Sequence, residues 1–189
     1  RTPVADGGFL DTITDITETR AAAARLTHMA RHDALTDLPN RVMLREALVE
    51  TIATASADST AAILCLDLDR FKLVNDTLSH GTGDELLRSL AAALSSVVRK
   101  KDLLARLGGD EFALLLREVD GVEAARIAQE LRRVVADFRF AHDGRVIAPT
   151  TSIGLIAFTA ADADFATVFA QADAACFTAK ELGGNREIG

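Results

Sequence analysis

Apolar and polar positions along this chain change their spacing several times, and each change marks an element. After the turn signal Asp6-Gly7-Gly8, residues from Phe9 to Ile16 alternate apolar and polar, which predicts a strand. One strand cannot bury itself, so its sheet is expected to lie in a neighbouring domain. Residues 17–32 are Ala-rich, with Ala23, Leu26 and Ala30 at helical spacing and Met29 beside them. They predict a connecting helix whose apolar stripe needs a partner, either its own domain or a second chain in a coiled coil. His32 to Arg41 breaks the pattern, and Pro39 suits the first turn of a new helix. Val42, Leu44, Leu48 and Ile52 carry that helix to about Ala55, and residues 56–59 form a loop.

Ala61 to Leu66 is short and uniformly apolar, as a strand covered on both faces should be, and it runs into Asp67-Leu68-Asp69. A helix is predicted from Phe71 to Leu78, followed by a Gly-rich loop at His80-Gly81-Thr82-Gly83. Asp84 then opens a long helix through Leu86, Leu87, Leu90, Leu94 and Val97. Leu103–Arg106 and Phe112–Leu116 read as a hairpin across Gly108-Gly109. Glu123 to Ala136 is helical, and residues 138–158 hold two strands around the turn Asp143-Gly144. Phe165 to Leu182 is a last amphipathic helix, ended by Gly183-Gly184. This order predicts an α/β (α+β) fold, a central and mostly antiparallel sheet flanked by helices.

Composition narrows the picture. With 49% hydrophobic residues among 189, the chain can bury a sizeable core. A formal net charge of -7 and the lack of any Lys/Arg block argue against a nucleic-acid surface. Cys65 and Cys176 each sit in an apolar run without a metal-binding pattern, as buried thiols in a reducing cytoplasm do. No apolar stretch approaches the ~18 residues that span a bilayer, so no membrane contact is expected. The start at Arg1-Thr2-Pro3 has no signal peptide and no initiator Met, which suggests a piece of a longer soluble protein.

Candidate chemistry gathers at strand ends. Asp67 and Asp69 follow directly on a rigid apolar strand. Gly108-Gly109-Asp110-Glu111 puts two carboxylates at a hairpin tip whose glycines let a ligand approach the backbone. If that hairpin pairs beside the strand ending at Asp67, then Asp67 and Asp110 converge. Hard oxygens without His or Cys select Mg2+ or Mn2+ over zinc, and carboxylate-held Mg2+ serves nucleoside triphosphate chemistry. Arg70-Phe71-Lys72 could meet phosphates, and Asn75, His80 and Asp84 offer the donors and acceptors of a purine edge. Read singly, several of these have plain alternatives: a capping Asp67, a solvated Lys72, a loop-bonded His80.

Taken together, Arg106-Leu107-Gly108-Gly109-Asp110-Glu111-Phe112 resembles the signature of the GGDEF, or diguanylate cyclase, family. Four further segments resemble it in order: Asp33 to Arg41, Asp67 to Asp84, Ser152-Ile153-Gly154, and Ala172-Asp173 through Lys180 to Arg186. The resemblance spans residues 33–187. It implies a nucleotide-cyclase-like core of the ferredoxin-like, palm type, and condensation of two GTP into cyclic di-GMP with release of two pyrophosphates. It implies that Asp67, the Leu68 carbonyl, Asp110 and Glu111 hold the metal. Asp110 would accept the 3′-hydroxyl proton and Lys72 would stabilise the transition state. Phe71 and Lys72 amides, Gly108, Gly109, Lys180 and Arg186 would lie along the phosphates, with Asn75, His80 and Asp84 at the guanine. Each domain of the family holds one GTP, so a homodimer is implied, and the helix at 17–32 could set the spacing. Arg99-Lys100-Lys101-Asp102 resembles the family's product-binding RxxD site, at which cyclic di-GMP inhibits.

The resemblance divides the chain into residues 1–16, similar to the closing strand of a PAS sensor domain, a signalling helix at 17–32, and the cyclase domain at 33–189. There are departures. Asp37 stands where Gly is usual, Ser79 where Gly precedes the His, and Phe177 where Tyr is frequent. Gly184 replaces a usual Arg, which weakens the phosphate end unless Arg186 substitutes. None removes a metal ligand or Lys72. Two other readings stay open: a silent GTP-binding module that regulates an adjacent domain such as an EAL phosphodiesterase, and a dimerisation module.

Overall fold

The computed structural model describes residues 2–3, 9–10, 17–54, 59–159 and 164–189. It divides into two compact units, residues 1–30 and 31–189. In the first, β1 (Thr2–Pro3) pairs antiparallel with β2 (Phe9–Leu10), and α1 covers Thr17–Arg31. Beyond Leu10, the strand expected up to Ile16 lies outside the described residues, and the likeness to a sensor-domain strand falls largely there too. On α1, Leu26 and Met29 are exposed.

The second unit is built on strands β3 (Thr60–Leu68), β4 (Leu103–Gly108), β5 (Glu111–Arg117), β8 (Thr151–Thr159) and β9 (Glu187–Ile188). They form one sheet in the order β4-β5-β3-β8-β9, antiparallel except for the parallel β8–β9 pair. Alternate side chains of β3 leave by opposite faces. Ala62, Leu64, Leu66 and Leu68 enter a core with helices α4 (His80–Val97) and α5 (Gly121–Asp137). Ile63 and Cys65 enter a second core with α2 (Arg41–Thr54) and α6 (Phe165–Glu181). Both faces of β3 are thus covered, which explains its unbroken apolar run, and the expected helix-flanked, mostly antiparallel sheet is borne out. Both cysteines are buried in the second core.

Helix starts follow local capping. Asn40 Oδ1 accepts from the Val42 and Met43 amides, Asp120 Oδ1 from Glu123, and Asp164 Oδ1 from Ala166 and Thr167. Three expectations are corrected. Pro39 is not in the first turn of α2, which begins at Arg41; it forms an isolated bridge with His32, and its carbonyl accepts from the Arg106 amide. The residues expected as a Gly-rich loop, 80–83, are the first turn of α4, because Ser79 Oγ accepts from the Thr82 amide and caps the helix there. Gly83 is a packing requirement rather than a loop signal: a Cβ there would stand 2.0 Å from Asn75 Oδ1. Finally, residues 138–158 hold three strands where two were expected. A short hairpin, β6 (Phe140–His142) and β7 (Arg145–Ile147), turns at Asp143-Gly144, and β8 is a separate strand beside β3.

Candidate functional site

Pairing of β3 with β5 brings Asp67 opposite Glu111. The Leu68 amide faces the Asp110 carbonyl at 3.4 Å. The turn between β4 and β5 is open: Gly108 and Gly109 have φ of 137° and 53°, and nothing lies within 4 Å of a Cβ built on either. Asp67 follows Ile63 and Cys65 on the face covered by α6, and Lys180 of α6 places its Nζ 2.5 Å from Asp67 Oδ2. Three segments far apart in sequence therefore meet at one carboxylate.

That carboxylate is under strain. Burial, with the Asp110 charge beside it, pushes Asp67 up to about 6 although Lys180 pulls the other way. Lys180 is itself raised: its partial burial acts downward, and the Asp67 and Asp110 carboxylates outweigh it. Asp67 Oδ1 is buried with no hydrogen-bond partner among the described residues, a costly state for a carboxylate oxygen. An orphaned oxygen, two neighbouring carboxylates and a strand-end carbonyl suit a hard divalent cation. Among the described residues, no group of three His, Cys, Asp or Glu side chains gathers as a closed metal cage. Glu111 leans instead toward Arg41, 3.6 Å away. Two carboxylates with open positions match the way Mg2+ is usually shared between protein and phosphate oxygens.

The other expected residues fall into distinct places. Phe71 is buried at the head of α3 (Phe71–Thr77), and Lys72 is exposed one residue on. Asn75 lies behind Gly83 of α4, its Oδ1 buried and unpartnered among the described residues. Asp84 is half-buried in the first turn of α4, and His80 is exposed at its first position. Arg186 donates from Nε to the Gly184 carbonyl of its own turn at 3.3 Å. Arg99 and Asp102 lie at the opposite end of β4 from the Gly-Gly turn. Arg99 Nε is 2.5 Å from Asp102 Oδ2, and the buried Asp102 also accepts from the Arg117 amide at 3.0 Å. Val97, Leu114, Arg126, Ile127 and Glu130 surround a small cavity there. Cavities of about 210 and 240 Å³ flank Lys180, and one of about 580 Å³ lies at the far end of β3, near Lys101 and Arg117.

Two residues that the sequence reading named without giving them a specific role are anchors. Arg106, a lone charge in the otherwise apolar strand β4, donates from Nε and Nη2 to the Gly109 carbonyl and from Nη1 to Asp33 Oδ1 at 2.7 Å. Asp33 is half-buried, which alone would raise its pKa, but hydrogen bonds from Arg106 and Thr36 hold it below the ordinary 3.8. Asp69 accepts from Thr150 Oγ1, Ser152 Oγ and the Asn185 amide, tying β3, β8 and the terminal loop. A single Arg inside an apolar strand was the available signal for the first. Nothing local announces the second, since its partners lie more than eighty residues away.

Residues 30–186 match the family model described as diguanylate cyclase, GGDEF domain. The chain is 42% identical over 181 residues to the probable diguanylate cyclase DgcE of Escherichia coli K12, covering 95% of this chain and 16% of that protein. It is 37% identical over 169 residues to diguanylate cyclase TpbB of Pseudomonas aeruginosa UCBPP-PA14, covering 87% and 39%. The chain thus spans well under half the length of these curated relatives. Among solved structures, the coiled coil and GGDEF domain of DgcB from Caulobacter crescentus, in complex with c-di-GMP, superposes with a TM-score of 0.84 at 28% identity, covering 92% of each chain.

Proposed function

Given that the chain belongs to the GGDEF, diguanylate cyclase, family, we propose that it is an active cyclase, joining two GTP into cyclic di-GMP as a divalent-metal-dependent homodimer. The observation that carries this reading is Asp67 Oδ1, buried and without a hydrogen-bond partner among the described residues, beside Asp110 and across from Lys180. A domain that only bound a partner would have little use for such a costly arrangement.

Asp67, Asp110 and the Leu68 carbonyl would hold Mg2+, with Glu111 completing the set from beside Arg41. The metal supplies charge neutralisation on the phosphates and lowers the pKa of the attacking hydroxyl. Asp110 takes the proton of the 3′-hydroxyl. The O3′–Pα bond then forms to the nucleotide held by the second domain, and the Pα–O bond to pyrophosphate breaks. Repeating the step in the other direction closes the ring. Lys72 faces the charge that develops on the transferring phosphorus, and Lys180 faces the leaving pyrophosphate. Asn75 Oδ1, lacking a partner, accepts from a guanine N–H, and Asp84 takes a second. Arg99 and Asp102 form the inhibitory site for the product: Arg99 grips a phosphate or stacks on guanine while Asp102 orients it.

Incubation with GTP and Mg2+, followed by nucleotide separation, tests the reading. Cyclic di-GMP and pyrophosphate are expected. GTP bound but unchanged would identify a silent regulatory module, and no nucleotide binding would leave a dimerisation module.

A further inference from the structure

The cavity of about 240 Å³ beyond Lys180 is walled by Asp69, Arg70, Lys180, Gly183 and Gly184. It is lined by one carboxylate and two cations. Asp69 already accepts three hydrogen bonds, from Thr150, Ser152 and the Asn185 amide, and Lys180 is shared with Asp67. Arg70 makes no ion pair or side-chain hydrogen bond among the described residues. A guanidinium left unused beside a cavity that already holds an ammonium marks the cavity for an anion.

The backbone points the same way. Arg70 adopts φ 57° and ψ 24°, a left-handed conformation that is strained for a non-glycine residue. It is enforced on one side by the Asp69 amide donating to the Thr150 carbonyl, and on the other by the Leu73 amide donating to the Arg70 carbonyl. Strain at a free cation beside a site suggests a ligand that uses it. Across the cavity, Gly184 has φ 73°, and a Cβ there would stand 2.8 Å from the Asp69 carboxylate. As a glycine, position 184 supplies no cation. Arg186 does not line the cavity; it bonds back to Gly184.

We infer that Arg70 binds the terminal phosphate of the nucleoside triphosphate, and that Gly183-Gly184 keeps the room this phosphate occupies. The inference rests on the cyclase reading. In that reaction the bond broken lies between the α-phosphorus and its bridging oxygen, so the outer phosphates leave past Lys180 into this cavity. Arg70 then also stabilises the departing pyrophosphate.

The test uses guanosine triphosphate and diphosphate analogues whose α,β-bridge is a methylene group and which cannot release pyrophosphate. Each is titrated calorimetrically into the 189-residue chain with Mg2+. Arg70→Ala should bind the triphosphate analogue about tenfold more weakly and the diphosphate analogue unchanged. Arg70→Gly removes the same cation while relaxing the left-handed backbone, so the same loss at an unchanged or higher Tm excludes misfolding as its cause. Equal losses on both analogues, no loss on either, or the loss appearing in Arg186→Ala instead would overturn the assignment. Wild-type protein that forms cyclic di-GMP while Arg70→Gly keeps full preference for the triphosphate sinks this inference alone. Wild-type protein that binds neither analogue sinks the cyclase reading and this inference with it.

Discussion

From within β4, the Arg106 guanidinium donates to both Gly109 and Asp33, while its amide donates to Pro39. One buried residue thus fixes the Gly-Gly turn against the segment that enters the domain. Its partner makes a pH prediction. Asp33 is held below 3.8 by Arg106 and Thr36 against the opposing effect of burial. A lowered native value contributes stability at pH above the unfolded value and loses it as pH falls through the native one. Wild-type protein should exceed Asp33→Asn by roughly 2 kcal/mol near neutral pH. That gap should close as the pH falls below the ordinary carboxylate value of 3.8, read by urea unfolding across the range; a constant gap would remove the charge from the account. On the cyclase reading, Asp110→Asn at the Gly-Gly turn should lower turnover about a thousandfold or more without lowering Tm, since the Asp110 side chain raises the electrostatic strain on Asp67. The carboxylates of this site were legible in the sequence because they border apolar runs: Asp67 follows one, and Asp110 and Glu111 precede another. Arg106 and Asp69 were not, because their function is set by partners that only the folded chain supplies.

Among the elements, the apolar strands and long helices were legible from period alone, since burial on one or two faces dictates it. The misreadings have local causes. Glycines 81 and 83 looked like a loop, yet Gly83 is where α4 presses on Asn75 and the Phe71 ring. The strand β8 begins with Thr151 and Ser152, both buried but polar, so its start did not stand out from the exposed hairpin before it. The two-residue β9 is too short to leave a pattern. Gly154 of β8 ties two elements together: a Cβ there would meet the Ala172 carbonyl at 2.0 Å and the Cys176 amide at 2.3 Å, both backbone atoms of α6. Gly154→Ala should cost about 3 kcal/mol or more, seen as a lower urea midpoint. GTP turnover should fall with it, because α6 carries Lys180. A neutral result would mean that α6 moves away without penalty.

For the whole molecule, the cyclase reading makes each domain half of a reaction. Specific activity should rise with protein concentration. Adding an equal amount of Asp110→Asn should reduce activity per wild-type chain to about half, as random pairing of two species demands; an additive result would rule out pairing. The RxxD pair sits at the other end of β4, about 20 Å from the turn at the rise of a strand. Arg99→Ala should therefore relieve inhibition by added cyclic di-GMP, measured from initial rates; unchanged inhibition would remove that site. Neither the pairing nor the inhibition can be read from one chain's hydrophobic pattern, because both depend on surfaces that bury nothing within it.

The cation that sits on Asp67 comes from residue 180, and one of the two strands beside β3 begins only at Thr151. A ribosome making this chain vectorially emits Asp67 and the Gly-Gly turn long before either partner. Chains whose synthesis stalls before α6 emerges carry the whole signature string yet lack that ammonium and its backing helix. On the cyclase reading, such incomplete products should make no cyclic di-GMP.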